Sequence, residues 1–172
     1  VHRVEEELTR NGAATHLSTQ TFAKGSPEEG WQNLCFAQVD GLPRWVYQWQ
    51  GVQVEKELAM DWEQNTVALR YQLENPGDTP CTLTVTPWLQ FVPKGKNLRK
   101  TQTFTLRGSR VTAAGLDLTV RTNGQLTPCP LGWQTLYYPC DAPDGRRKTG
   151  LTAACLQVVC TVAPGSRQTL DL

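Results

Sequence analysis

Residues 43–60 read PRWVYQWQGVQVEKELAM, two alternating segments that meet at Gly51. In the first, Trp45, Tyr47 and Trp49 project to one side of an extended chain and Arg44, Val46, Gln48 and Gln50 to the other, which is the two-residue period of a β-strand. In the second, Val52, Val54, Leu58 and Met60 share a face, and Lys56 occupies that face where the pattern calls for an apolar residue. The pair reads as a β-hairpin with its apolar side toward a core. An ammonium on that side is costly unless neutralised, so Lys56 is expected to form a structural buried ion pair with a carboxylate. The aromatic stripe serves either as core or as a platform for flat ligands such as sugar rings.

The same period continues on both sides. Thr66–Leu73 sets Val67, Leu69, Tyr71 and Leu73 against Ala68, Arg70 and Gln72, and stops at the turn sequence Asn75-Pro76-Gly77-Asp78. Thr82–Phe91 follows, with Leu83, Val85, Leu89 and Phe91 opposite Thr82, Thr84, Thr86, Trp88 and Gln90, and the two segments read as an antiparallel pair. Further on, Thr101–Leu106 and Arg110–Thr112 flank Arg107-Gly108-Ser109, and Leu116–Arg121 leads to Asn123-Gly124, a dipeptide suited to a type I′ hairpin turn. Leu156–Val162 alternates again, and Pro164-Gly165 turns into a last strand around Gln168–Leu172. The helical candidate is Ser26–Asn33, which opens like a helix N-terminus. About nine to eleven short strands with regular turns predict an all-β fold of two large packed antiparallel sheets. The longest irregular stretches, Pro93–Lys100 and Pro139–Gly150, are expected to be exposed loops.

Composition narrows the function classes. A length of 172 residues suits a single domain, 1–172. Seventeen Lys and Arg against sixteen Asp and Glu give no electrostatic footprint for nucleic acid or an anionic membrane, so neither is expected as a partner. No apolar run reaches bilayer length and VHRVEEELTR lacks a secretory core, so a cytoplasmic location is expected. The six cysteines, Cys35, Cys81, Cys129, Cys140, Cys155 and Cys160, contain no CxxC pair, and only His2 and His16 could assist them, so no metal site is expected. Cys35, Cys81, Cys155 and Cys160 lie in or near strand-like runs and read as buried free thiols.

Motifs for catalysis are missing: no GxSxG, HExxH, GxxxxGK[ST] or dinucleotide fingerprint occurs. Glycoside hydrolysis needs two carboxyl groups across the scissile bond, yet no acidic pair stands out. Glu5, Glu6 and Glu7 read as a solvated strand face or edge, Glu55 and Glu57 as an outer face, and Asp61 and Glu63 as part of a turn. No catalytic residue is assigned and no cofactor is implied. Among the tryptophans, Trp88 faces away from its apolar neighbours and is the first candidate for a carbohydrate-facing ring, with Trp31 and Trp133 as loop-borne alternatives.

One resemblance runs through these residues. Val4-Glu5-Glu6-Glu7, Leu17-Ser18, Glu29-Gly30, Leu34-Cys35-Phe36, Pro43-Arg44-Trp45-Val46-Tyr47, Val54-Glu55-Lys56-Glu57, Met60, Asn65-Thr66-Val67, Tyr71 and Leu83-Thr84-Val85-Thr86-Pro87 occur in order. The series resembles the N-terminal domain of bacterial and archaeal glycogen debranching enzymes of the amylo-α-1,6-glucosidase type, chiefly over residues 1–93 with a looser echo in Tyr137–Leu172. The resemblance implies a galactose-mutarotase-like β-supersandwich, not catalytic alone, that packs on a downstream catalytic (α/α)6 domain and borders an α-glucan cleft. The chain departs from the family after Pro87, where Gln90-Phe91-Val92-Pro93-Lys94 replaces an Arg-Asp and a histidine near the cleft. Two other expectations stand beside it: a free-standing carbohydrate-binding β-sandwich, and a mutarotase-like sugar epimerase, which needs a histidine and a carboxylate in one cleft.

Overall fold

The computed structural model describes residues 1–93, 96–141 and 143–172. Lys94, Gly95 and Ala142, inside the two expected loops, lie outside the described residues. The chain is nearly all β. It runs through β1 (Arg3–Arg10), β2 (Ala13–His16), β3 (Thr19–Gln20), β4 (Glu28–Glu29), a 3-10 turn (Gly30–Asn33), β5 (Leu34–Gln38), β6 (Arg44–Trp49) and β7 (Val52–Met60). It continues through β8 (Val67–Asn75), β9 (Cys81–Trp88), β10 (Thr105–Arg107), β11 (Arg110–Ala113), β12 (Leu116–Thr119), β13 (Gln125–Tyr137), β14 (Thr149–Val162) and β15 (Ser166–Asp171). The helical expectation at Ser26–Asn33 gives way to the short strand β4 and the 3-10 turn.

Two five-stranded antiparallel sheets carry the architecture, ordered β13-β14-β9-β1-β2 and β15-β8-β7-β6-β5. The hairpin read from residues 43–60 is present, with Trp49 opposite Val52 and Gln50 and Gly51 both at positive φ, the conformation its tight turn requires. The core forms where alternating inner faces meet. Leu8, Leu83, Val85, Leu156 and Val158 from the first sheet pack with Val52, Val54, Leu73 and Leu170 from the second. The small sheet β10-β11-β12 adds Val111 and Ala113 to that core.

The expected β8–β9 hairpin does not exist. β8 belongs to the second sheet and β9 to the first, so Asn75–Pro80 is an arch that carries the chain from one sheet to the other. Pro164-Gly165 makes a second arch between β14 and β15. The two arches touch, since Gly165 N–H donates to Gly77 O at 3.0 Å. Asn75, fully buried, donates from its amide nitrogen to the carbonyls of Thr79, Val162 and Ala163 at 2.8, 3.3 and 3.2 Å. Arg10 closes the same end of the sandwich. Its guanidinium donates to Gln50 O and, at 3.1 Å, to Thr79 Oγ1, and it lies so close to Gly77 that a Cβ there would sit 1.8 Å from Nη2. Both sheets are thus fastened at one end by buried polar side chains. Asn123-Gly124 is likewise no hairpin: it links two different sheets, and the Asn123 side chain holds β15 through Thr169 O and Asp171 N–H at 3.1 and 2.8 Å.

Candidate functional site

Alternation along β1 splits the acidic run between two environments. Glu6 points into the core and is 1 % exposed, where a solvated face was expected, and β1 is a central strand, paired with both β2 and β9. Lys56 reaches Glu6 Oε1 from the opposite sheet, and Tyr71 donates its hydroxyl to the same oxygen at 2.8 Å. The ammonium also stands 5.6 Å from the Trp45 ring centroid and 6.0 Å from that of Tyr71. Aromatic faces and a carboxylate together compensate its partial desolvation.

This buried charge acts on the nearby phenols. Burial, then the Glu6 charge, pushes Tyr47 up to about 12, and burial with the Glu6 charge and hydrogen bond takes Tyr71 well above its usual value. A phenol whose folded pKa exceeds its unfolded one stabilises the fold below the unfolded pKa of about 10, and that contribution is lost as pH rises toward the folded value. We expect a spectrophotometric titration to show Tyr47 and Tyr71 ionising only together with unfolding. Normal titration of all tyrosines in a still-folded chain would contradict this.

Glu5, on the outer side of β1, belongs to a second cluster. Arg3, one turn of the pleat away, makes a two-pronged ion pair with Glu28, 2.7 Å on each prong, and Ser18 donates to Glu28 Oε2 at 2.7 Å. Glu5 accepts the Trp88 indole N–H and lies 3.5 Å from Arg3 and 3.7 Å from His16 Nδ1. Burial raises the Glu5 pKa; the Trp88 hydrogen bond opposes it. Segment 17–29 straps this cluster down: Leu17 N–H bonds Glu6 O at one side of the sheet, and Phe22 bridges to Leu136 of β13 at the other. The Arg3 guanidinium lies 5.5 Å from the Phe22 ring and 5.9 Å from Trp88.

The strap corrects the expectation for Trp88. Its ring does face away from the core strands, but Arg3, Glu5 and the bulged strand β13 at Gly132 cover it, leaving 7 % exposure. Trp133 is half-buried against Phe104, edge to face at 6.0 Å. Trp31, in the 3-10 turn, is 59 % exposed and is the one of the three whose ring is open to a ligand. These three rings do not converge on one surface with Lys56, which lies between the sheets.

Glu5, His16 and Glu28 bring potential metal-ligating atoms within 4.8 Å of one another. The sequence reading missed this grouping, which brings a histidine and carboxylates together as an epimerase would require. Its signal was available in part: His16 falls opposite Glu7 in the β1–β2 register, one pleat from Glu5. The donor set is already partly occupied, however, because the Arg3 guanidinium sits among the carboxylates, paired with Glu28 and 3.5 Å from Glu5. Both Glu28 oxygens are held by Arg3 and Ser18, and Glu5 Oε2 accepts the Trp88 indole N–H, while Glu5 Oε1 stands 3.7 Å from His16 Nδ1, a buried nitrogen without a hydrogen-bond partner. The cysteines divide similarly: Cys81, Cys155 and Cys160 are buried, whereas Cys35, expected inside, is exposed at the edge strand β5.

Fold and side chains together define an all-β sandwich domain whose polar clusters brace its own sheets. The chain matches the family described as glycogen debranching enzyme N terminal over residues 1–169, and it belongs to that family. No curated protein matches the chain significantly. Among the described residues no helix is long and apolar enough to cross a membrane.

Proposed function

We propose that this domain is a non-catalytic module of a glycogen debranching enzyme, which packs on a catalytic (α/α)6 domain and borders the α-glucan cleft in the cytoplasm. The observation that carries the reading is the family match across nearly the whole chain. The state of the acidic side chains supports it: Glu6 neutralises Lys56, and Glu28 neutralises Arg3, so each stabilises the module instead of facing a substrate. All six cysteines are free thiols, which accords with a reducing compartment.

A carbohydrate-binding reading is favoured by one observation, the exposed Trp31 ring. The two separate in one experiment on the pure chain. We expect no glucose release from branched limit dextrin, and no saturable change in tryptophan fluorescence with maltoheptaose below millimolar concentration. Glucose release abolished by a single acid-to-amide change would overturn the module reading. A quench lost in Trp31→Ala would replace it with a free-standing binding domain.

A further inference from the structure

Three separate strands, β1, β2 and β4, bring Glu5, His16 and Glu28 together. Arg3, Ser18 and Trp88 hold both oxygens of Glu28 and Glu5 Oε2, which leaves Glu5 Oε1 and His16 Nδ1 uncommitted, 3.7 Å apart. That separation is too long for a hydrogen bond, and a proton shared between the two atoms would draw them to about 2.8 Å. An ion about 2.1 Å from each, the usual length of a zinc bond to imidazole or carboxylate, spans the gap at an angle of about 120°, near the tetrahedral value. Two nitrogens of the cluster have no hydrogen-bond partner in the protein: His16 Nδ1, and Nε of Arg3, a side chain only 10 % exposed. The first offers a lone pair to a cation when the ring proton sits on Nε2, and the second has a proton free for an oxygen of a coordination shell.

Charge points the same way. Glu5 and Glu28 carry two negative charges and Arg3 one positive, so one negative charge remains for a divalent ion to neutralise. Burial raises the Glu5 pKa, the mark of a carboxylate short of compensating charge. The hydrogen bonds from Arg3, Ser18 and Trp88 fix the orientation of each carboxylate, as the outer partners of metal ligands do.

We propose that Glu5, His16 and Glu28 form a binding site for a divalent ion of the zinc class, which clamps both ends of the 17–29 strap onto β1. His16 lies just before the strap and Glu28 at its far end, so one ion ties the two ends to the strand between the sheet's neighbours. An imidazole nitrogen with carboxylate oxygens suits zinc, whereas magnesium and calcium prefer all-oxygen shells of about six or more ligands. The partly exposed His16 ring leaves the ion a way in. Positions 5, 16 and 28 are too widely spaced to register as close-set ligand pairs, which hides the grouping from the sequence.

The competing ligands are His2 and the exposed thiols Cys35 and Cys140. Titrated with Zn2+ in a calorimeter, the metal-free chain should bind one equivalent with micromolar affinity or better. His16→Gln and Glu5→Gln should each weaken binding at least tenfold, whereas His2→Gln and the double change of Cys35→Ser with Cys140→Ser should leave it intact. Zn2+ should slow tryptic cleavage after Lys24, exposed in the middle of the strap, several-fold in the wild type and not in His16→Gln. X-ray absorption at the zinc edge of the loaded wild type keeps the site testable should a variant fail to fold. A shell of nitrogen and oxygen with one imidazole is expected, and sulfur in that shell overturns the proposal. It is equally overturned by absence of zinc binding, by calcium binding as tightly as zinc, by unchanged affinity in His16→Gln, or by cleavage at Lys24 that is indifferent to the ion.

Discussion

Replacing Lys56 by Met is expected to lower the stability of the domain by about 3 kcal/mol, because it strands the Glu6 carboxylate between two sheets. Glu6 is 1 % exposed, and after the change Tyr71 alone would donate to it. That remaining hydrogen bond keeps the loss at the lower end of the range for a broken buried pair. Urea unfolding of Lys56→Met, Glu6→Gln and the double variant measures the coupling. The double variant should recover most of the loss, since a neutral amide beside a thioether leaves no buried charge, and the midpoint should move without a change in slope. If Lys56→Met unfolds at the wild-type midpoint, the pair contributes nothing and the account of Lys56 is wrong.

Gly30→Ala is expected to cost a similar amount, about 3 kcal/mol, by overpacking a site that cannot relax. A Cβ at Gly30 would lie 2.1 Å from Leu17 O and 2.6 Å from Ser18 O, and both are backbone atoms of the strap. The strap must shift, the Gly30 N–H bond to Ser18 O must break, and Glu28, two residues away, must leave its paired grip on Arg3. Gly12→Ala is the contrast. Its Cβ would meet nothing within 4 Å, so only the left-handed backbone at φ +75 is penalised, by about 1 kcal/mol. Equal losses in the two variants would show that packing at Gly30 is looser than described. Hydrogen exchange at the Leu17 and Gly30 amides should rise in Gly30→Ala and stay unchanged in Gly12→Ala.

How much of this was legible in the sequence depends on what alternation encodes. It states which side of a strand faces inward, and for residues 43–60 that was enough, because a two-residue turn leaves the neighbouring strand as the sole partner. Between Leu73 and Cys81 the same information is ambiguous. Strands that pair side by side and strands that face each other across a core both turn Leu69, Tyr71, Leu83 and Val85 inward. The choice was made by Asn75, whose side chain gathers carbonyls from two arches, one of them almost ninety positions away, and local pattern carries no trace of that. The site divides along the same line. That Lys56 sought an acid was readable, but that the acid was Glu6 followed only once β1 proved central and its middle glutamate had to point inward. Trp88 was assigned its face correctly and its exposure wrongly. An outward ring is open only if nothing crosses that face, and here segment 17–29, too short and irregular to show a period, crosses it.

The place of β1 has a consequence for how the polypeptide comes off the ribosome. Its two neighbours are β2, made immediately after it, and β9, whose residues lie more than seventy positions downstream. Until β9 emerges, the first strand has one ladder unsatisfied, and the Glu6 carboxylate must wait in water for Lys56. β9 in turn gains its second neighbour only with β14. The sheet is therefore assembled from its middle by segments that are born far apart, and contacts of that range close slowly. During that interval β6 is the first two-sided strand to have both its neighbours, β5 and β7, on hand, so the segment that announces the fold in the sequence is also one positioned to nucleate it during synthesis.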